Sequence, residues 1–253
     1  MNGGFSIQNL AAATAATISV SGSADSTNYP STLLEDASPA PRFKLSAKTS
    51  TWLKVDLGSS LNVKIIALLN HNLTSSATVV LQGHASDSWG TPSYSHSMTY
   101  AATHIFLVID QTYRWWRVTI DDSTNTQYPA VGEFYVGGLT TFTINFDFPS
   151  RVRSYKNITE DMPSGRIRKL NQSNIKTYQL AWELLTMTQL AEVQAIHTGT
   201  NGGVTPFVFL PDVASTELLY VQCADDLQYQ EIQNDLVGNV SLPLSELPNG
   251  ISV

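Results

Sequence analysis

Hydrophobic and polar residues alternate along short segments of the first half of the chain, as they do in β-strands that bury one face. The intervening turns are rich in Ser, Gly, Pro and Tyr. The alternating segments lie at residues 51–58, 63–72, 77–86, 104–110, 113–120 and 131–138. This pattern predicts an all-β sandwich over residues 1–138, with a domain boundary at Gly137-Gly138.

The second half keeps the strand pattern and adds one helix. Thr186 and Gln189 have the spacing of a capping box, which begins a helix. An apolar stripe follows at helical spacing and consists of Met187, Leu190, Val193 and Ile196. Further strands are predicted at residues 139–149, 175–185, 206–211, 217–224, 227–234 and 239–247. We therefore predict a second all-β domain over residues 139–253, a barrel or sandwich with one helix at 186–198.

Two adjacent tryptophans stand in the predicted strand YRWWRVTI, at residues 113–120. Neighbouring side chains of a strand point to opposite faces. Trp116 is therefore predicted to lie in the core. Trp115 shares the other face with Arg117 and is predicted to support that side chain near the sheet edge, while Glu133 is an alternative partner for Arg117.

Composition excludes several classes of function. The net charge is −7, with 14 Lys and Arg residues in 253, so a nucleic-acid surface is not predicted. A single cysteine, Cys223, excludes an intrachain disulfide and favours a reducing compartment. The N-terminal segment lacks the basic residues of a signal peptide. The sequence also contains no apolar stretch of the roughly 20 residues that a membrane span requires.

Motifs for enzyme chemistry are also missing from the sequence. It contains no nucleophile elbow, no phosphate-cradling glycine loop and no metal-ligand spacing. The paired acids Asp121-Asp122 and Asp225-Asp226 are interpreted as solvated turn residues. We predict no enzyme activity, no cofactor and no metal site. The five histidines are scattered, at His71, His84, His96, His104 and His197.

The first half resembles the discoidin-like, galactose-binding-like β-sandwich domains, in a jelly-roll-like arrangement, over residues 15–138. The motifs that carry the resemblance are WLKVDLG, IIALLNHN, YRWWRVTI and VGEFYVGG, in that order. Trp115 stands where this family often has Tyr. The residues that fit the family pattern are Trp52, Asp56, Leu57, Gly58, Arg114, Arg117 and Glu133.

The second half is similar to the ring-forming domain of siphophage distal tail proteins, which is a tail-tube-like domain. The matching segments are Tyr178 to Trp182, Leu185 to Ile196, Asn201 to Gly203 and Pro206 to Phe209. Many distal tail proteins have the ring domain first, whereas here it follows the sandwich. The resemblance implies a six-fold ring that continues the tail tube, in a virion assembled in the host cytoplasm. Tail-tube and tail-tip proteins would be its partners, and DNA would pass without specific contacts.

Two groups of residues are candidates for binding. Loop aromatics of the sandwich, which could stack on a sugar ring, are Trp89, Tyr94 and Tyr128. A charged arm in the second domain, which could contact the next subunit of a ring, contains Arg151, Arg153, Lys156, Glu160, Asp161, Arg166, Arg168 and Lys169. The leading hypothesis is a structural tail protein of a bacteriophage. The alternative is an adhesin that binds host glycans.

Overall fold

The structure is a computed structural model, which describes residues 3–40, 42–144, 146, 150–154, 157–161, 167–171, 175–214, 216–233 and 235–247. Two short 3-10 helices lie at Leu10–Ala12 and Ser31–Leu34. The strands of the first part of the chain are β1 (Gly4–Ser6), β2 (Thr17–Val20), β3 (Phe43–Lys44), β4 (Thr51–Leu69), β5 (Thr78–His84), β6 (Tyr94–Ser97), β7 (His104–Asp121), β8 (Ala130–Val131) and β9 (Glu133–Gly137).

The second part contains nine more strands and, within the described residues, one α-helix, α1 (Met187–Gly199). The predicted all-β class with a single helix is confirmed. The strands are β10 (Thr140–Thr141), β11 (Ser150–Ser154), β12 (Asn157–Asp161), β13 (Ile167–Asn171), β14 (Ile175–Thr186), β15 (Phe207–Leu210), β16 (Leu219–Cys223), β17 (Gln228–Gln233) and β18 (Leu236–Glu246).

The chain forms two compact units, which are described separately below. The sandwich unit contains residues 6–140, and the second unit contains residues 141–253 together with the N-terminal residues up to Phe5. The N-terminal strand therefore belongs largely to the second unit. Phe5 explains this assignment, because it is buried and stacks on Phe209 with ring centroids 4.8 Å apart.

The main sheet of the sandwich unit is antiparallel, with strand order β2-β4-β7-β5-β6, and β9 pairs with the second half of β4. Strands β3 and β8 form a separate two-stranded sheet. Alternate residues of the central strands point inward and are fully buried, among them Leu53, Val55, Leu81, Trp116 and Val118. The predicted core position of Trp116 is thus confirmed.

Two pairs of predicted strands are continuous in the structure. The segment predicted at 51–58 and the part of the segment predicted at 63–72 up to Leu69 form the single strand β4, and those at 104–110 and 113–120 form β7. The predicted turn at Gly58 is instead an irregularity within β4, between Asp56 and Leu61. Gly58 has φ +77°, a conformation that glycine adopts without steric cost, and its N–H donates to the Asp56 carboxylate.

The second unit is built on a larger antiparallel sheet with strand order β10-β1-β15-β16-β18-β14-β11, in which β17 pairs with β18. The predicted strand at 139–149 is wrong for residues 142–144, which are not in a strand. Ile144 is 44% exposed, whereas Phe142 and Phe146 are buried. Both phenylalanines pack edge-on against Trp182 instead, which favours a bend over an extended strand.

Helix α1 begins as the sequence predicts. Thr186 accepts a hydrogen bond from the Gln189 backbone, and the Gln189 side chain accepts one from the Thr186 backbone. The buried stripe of the helix contains Leu190, Val193 and Ile196. Met187, which was predicted to belong to this stripe, is 44% exposed.

Candidate functional site

The outward face of the sandwich sheet carries a group of aromatic and charged side chains. Lys54 on β4 and Gln82 on β5 both lie opposite Arg117 on β7. The three residues therefore form one row across the sheet, on the face opposite the core. The surface around this row is called the aromatic–charged surface below, and it consists of Trp52, Lys54, Gln82, Asp87, Trp89, Trp115 and Arg117.

Trp89, a sequence-predicted glycan candidate, is held in a defined position on this surface. Its indole N–H donates to Asp87 Oδ1 over 2.5 Å. The guanidinium carbon of Arg117 lies 4.4 Å from the centroid of the Trp89 ring, within cation–π distance. Arg117 is oriented by two bonds, of 2.9 and 2.7 Å, from Nε and Nη2 to Gln82 Oε1.

Lys54 connects Asp87 to the other two tryptophans. Its ammonium lies 2.7 Å from Asp87 Oδ2 and 5.2 Å from the ring centroids of both Trp52 and Trp115. The hydrogen bond from Lys54 is the main reason why the pKa of Asp87 lies below its usual value. Asp87 is therefore a stable carboxylate, and the three half-buried tryptophan rings remain beside charged groups.

The predicted partners of Arg117 are wrong. Trp115 lies near Lys54 and near Arg114, whose guanidinium carbon is 5.5 Å from the ring centroid. Glu133 is buried and accepts a hydrogen bond from Asn9. The loop that contains Trp89 determines the partner of Arg117, because it places the Trp89 ring over the guanidinium. Strand alternation cannot predict the position of a loop residue.

A second ion pair lies at the end of this face. Arg114 donates from Nε and Nη2 to the two oxygens of Asp56, over 2.6 and 2.7 Å. This bidentate bond lowers the pKa of Asp56. The two family-pattern residues Asp56 and Arg114 therefore satisfy each other, whereas Arg117 is held by the neutral amide of Gln82.

An open cleft of about 320 Å³ begins at this surface and runs along the ends of β4 and β7. Trp52 and Arg117 line it, so the cleft and the aromatic–charged surface share two side chains. Its size is at the lower end of the range for small-molecule sites. The other lining residues are Ser50, Thr51, Thr78, Thr119, Ile120 and Asp121.

The other two predicted glycan candidates, Tyr94 and Tyr128, are not part of the aromatic–charged surface. Tyr94 lies on β6 and packs edge-on against the buried Trp116, with ring centroids 6.1 Å apart, so its ring covers the core. Tyr128 is 48% exposed, and its carbonyl accepts a hydrogen bond from Asn72. Of the three candidates, Trp89 is the one that the structure places on the aromatic–charged surface.

The Tyr128 loop is organised by a buried carboxylate, which the sequence interpretation missed. Asp122 is 1% exposed and accepts hydrogen bonds from the Thr74 backbone and hydroxyl and from Asn125. The interpretation of Asp122 as a solvated turn residue is therefore wrong, while Asp121 is exposed as expected. These bonds satisfy the buried charge and fix the start of the loop.

His71 is buried, and backbone groups form hydrogen bonds with both of its ring nitrogens. The Leu73 backbone donates to His71 Nδ1, so Nε2 carries the proton and donates to the Ala101 carbonyl over 2.9 Å. Burial lowers the pKa of His71 to about 4. The preceding Asn70 has φ +50° and donates to the Pro39 carbonyl. This segment is therefore a structural turn.

For the charged arm, residues 150–171, the structure gives the backbone pairing of the described strands. Arg151 and Arg153 lie on β11, which pairs with β14. In the β12–β13 hairpin the register places Glu160 opposite Arg168 and Thr159 opposite Lys169, and Asp161 ends β12. Lys156 and Arg166 lie outside the described residues.

The described residues contain no group of three or more His, Cys, Asp or Glu side chains that could hold a metal ion. Within them no helix is long and apolar enough to cross a bilayer.

Much of the aromatic–charged surface was missed at the sequence level. Lys54, Gln82 and Asp87 were not candidates, because single polar residues are common both in strands, where Lys54 and Gln82 lie, and in loops, where Asp87 lies. The sequence does contain an indication of this surface. Trp52 and Lys54 share the outward face of one strand, and Trp115 and Arg117 share the outward face of another. Only the pairing of β4 with β7 puts the two pairs side by side.

Comparisons with known proteins give structural likenesses only. No protein-family model matches the sequence, and no curated protein matches it. Among solved structures, chitosan-binding module 1 of a chitosanase/glucanase from Paenibacillus sp. IK-5 is 22% identical, with a TM-score of 0.40. The match covers 52% of this chain and 99% of the module.

Two other solved structures give similar values. Chitosan-binding module 2 of the same enzyme, in complex with chitotriose, is 18% identical and covers 50% of this chain and 99% of its own, with a TM-score of 0.40. The lectin binding domain of lectinolysin, complexed with Lewis b, is 15% identical and covers 51% and 95%, with a TM-score of 0.42. At these TM-scores the likeness does not identify a ligand for this chain.

Proposed function

We propose that the sandwich unit is a carbohydrate-binding module and that its binding site is the aromatic–charged surface. The observation that carries this proposal is the position of Trp89, fixed by its bond to Asp87 and by the Arg117 guanidinium. A fixed, half-exposed indole offers an apolar plane to the C–H face of a sugar ring at little cost in side-chain entropy.

Polar groups beside the ring could bind sugar hydroxyls. Asp87 accepts hydrogen bonds, and Lys54 and Arg117 donate them, so a sugar hydroxyl could both donate and accept a hydrogen bond here. Trp52 lines the cleft that starts at Arg117 and could stack on a second sugar unit. The proposed activity is binding, with no chemical step.

The test is a glycan array with the full chain, followed by calorimetry on the best ligand. We expect Trp89→Ala to weaken binding by about 2 kcal/mol or more, as hot-spot tryptophans do, and Trp89→Phe to retain part of the affinity. Tyr229→Ala is the matched control, because Tyr229 is 43% exposed but lies in the second unit. Full affinity in a folded Trp89→Ala variant would reject this site, and a chain that binds no glycan would reject the function.

We also propose a second function, as a structural component of a bacteriophage tail, in which copies of the chain assemble into a ring at the distal end. Two features support this proposal: the resemblance of residues 139–253 to distal tail proteins, and the β12–β13 hairpin, which pairs with no other described strand. Tail-tube and tail-tip proteins would be its partners and the virion its location. The sandwich would then serve adsorption to surface glycans.

Native mass and negative-stain electron microscopy of the purified chain test this function. Closed rings with a central hole are expected. A chain that stays monomeric over the whole accessible concentration range, and that is found elsewhere than the tail tip in dissected virions, would reject it.

A further inference from the structure

The aromatic–charged surface carries one positive charge that no carboxylate neutralises. Lys54 and Asp87 form an ion pair over 2.7 Å, so their charges cancel. Arg117 forms no ion pair with any described residue and donates instead to the neutral amide oxygen of Gln82. The net charge of this surface is therefore that of the Arg117 guanidinium.

The surroundings of Arg117 maintain this charge without compensating it. Burial lowers the pKa of Arg117 and Asp87 opposes the shift, but an arginine remains protonated at physiological pH. Asp121 lines the same cleft four residues further along β7, which is about 13 Å along an extended strand. That distance exceeds the screening length of roughly 8 Å at physiological ionic strength. Asp121 is therefore too far away to neutralise Arg117.

The hydrogen bonds of Arg117 leave one edge of the guanidinium open. Gln82 accepts from Nε and from one hydrogen of Nη2. Nη1 donates to no described residue and is reached by solvent. The free N–H groups of Nη1 and Nη2 lie parallel at the end of the planar group. Two parallel N–H groups match the two oxygens of a carboxylate.

The open edge lies beside space for a sugar. Arg117 and Trp52 both line the cleft of about 320 Å³, together with the hydroxyl-bearing residues Ser50, Thr78 and Thr119. An indole ring, a cation and several hydroxyl groups therefore border one cavity. Such a cavity can hold a sugar ring by its apolar face and by its polar substituents at the same time.

We propose that the glycan bound by the aromatic–charged surface is acidic, with a carboxylate on the sugar as in uronic and sialic acids, and that Nη1 and Nη2 of Arg117 bind this carboxylate. The inference rests on the carbohydrate-binding function proposed above and names its ligand class. A neutral sugar leaves the guanidinium without a counter-charge, whereas a carboxylate accepts two charge-assisted hydrogen bonds from it. The site is therefore selective for the charged ligand.

A comparison of acidic glycans with their methyl esters tests this inference on the wild-type chain. The probes are uronic-acid and sialic-acid glycans from the array, and esterification removes their charge while it keeps the sugar skeleton. We expect the acid to bind at least about tenfold more tightly than its ester in calorimetry, as a hydrogen bond between charged groups allows. The affinity of the acid should fall as salt is added, while that of the ester should change little.

Variants of Arg117 then locate the selectivity. Arg117→Gln removes the charge, so the acid and the ester should bind with similar affinity. Loss of support for Trp89 alone would weaken both ligands alike, so the ratio of the two affinities separates carboxylate binding from a structural role. Arg117→Lys keeps the charge but loses the paired N–H groups and should give an intermediate ratio. Lys64→Gln is the matched control, because it removes one positive charge from β4 outside this surface and should keep the wild-type ratio.

The outcomes distinguish this inference from the function on which it rests. Equal affinity of the wild-type chain for acid and ester, or array binding confined to neutral glycans, would overturn the inference and leave the carbohydrate-binding function standing. A preference for sulfated over carboxylated glycans would overturn the ligand class. Selectivity that survives in a folded Arg117→Gln variant would overturn the role of Arg117. A chain that binds no glycan would overturn both the inference and the function.

Discussion

Arg117 and Trp89 form a stacked pair on the outer face of the sandwich, with the guanidinium carbon 4.4 Å from the centroid of the indole ring. They come from different elements, since Arg117 is on β7 and Trp89 is in the loop between β5 and β6. Gln82 orients the arginine and Asp87 orients the tryptophan. The pair is therefore fixed from both sides, which is the property that a sugar-stacking ring requires.

Asp87 is predicted to position Trp89 for glycan binding. Asp87→Ala removes the acceptor of the indole N–H and the partner of Lys54, so Trp89 gains rotamer freedom that binding must then restrict. We expect a loss of affinity of up to about tenfold by calorimetry, the size of one or two hydrogen bonds. Asp110→Ala, at another acid of the sandwich, is expected to leave affinity unchanged, and an equal loss there would contradict the positioning role.

Gly83 on β5 is predicted to be required for packing of the core tryptophan. A Cβ atom at this position would lie 2.8 Å from the Tyr113 ring and 2.9 Å from the Trp116 ring. We expect Gly83→Ala to lower the free energy of unfolding by about 1–3 kcal/mol, the cost of overpacking a close-packed interior. Urea denaturation measures the change. At Gly90 a Cβ atom would meet nothing within 4 Å, so Gly90→Ala should not destabilise the sandwich.

Thr186 is predicted to stabilise the second unit through the start of helix α1. Thr186→Ala removes the hydroxyl that accepts from the Gln189 backbone, which costs about 1 kcal/mol for a typical N-cap. Thr188→Ala, at an exposed position two residues further on, should be neutral or slightly stabilising, because alanine is the better helix former. The melting temperatures of the two variants measure this difference, and Thr186→Ala is expected to melt at the lower temperature. Equal melting temperatures would contradict the capping role.

His71 is predicted to make stability depend on pH between about 6.5 and 4. Burial keeps the folded-state imidazole neutral and lowers its pKa to about 4, with Arg42 also lowering the pKa and Asp122 raising it. The unfolded chain binds a proton near pH 6.5. As the pH falls through this window, protonation therefore stabilises the unfolded state, and the free energy of unfolding decreases by on the order of 3 kcal/mol.

Denaturant titrations at a series of pH values measure this dependence. Glutamine does not titrate, so the variant His71→Gln should be less stable than wild type near pH 7 but should lose less stability on acidification. The difference between the two profiles isolates His71 from the carboxylates that titrate at lower pH. Parallel profiles for the two proteins would exclude His71 as the source.

Local patterns determined most of the secondary structure. Strand alternation identifies which faces are buried, as for Trp116 with Val118, because the period of two is a property of the extended backbone. The capping box at Thr186 and Gln189 is equally local and needs no tertiary contact to be recognised. Local patterns misplace the end of a strand where an irregular residue such as Gly58 lies inside a long strand.

Contacts between residues distant in sequence were decided only by the tertiary structure. The Phe5 strand joins the second unit because its ring stacks on Phe209, and no local pattern encodes that pairing. In the same way, Trp89 meets Arg117 only because β5 pairs with β7 and the following loop folds back over the sheet. The sequence by itself determined which side chains face outward, while strand order and register decided which of them meet. The physical reason is that hydrophobic burial is specified residue by residue, whereas a site depends on the geometry of pairing between strands far apart in the chain.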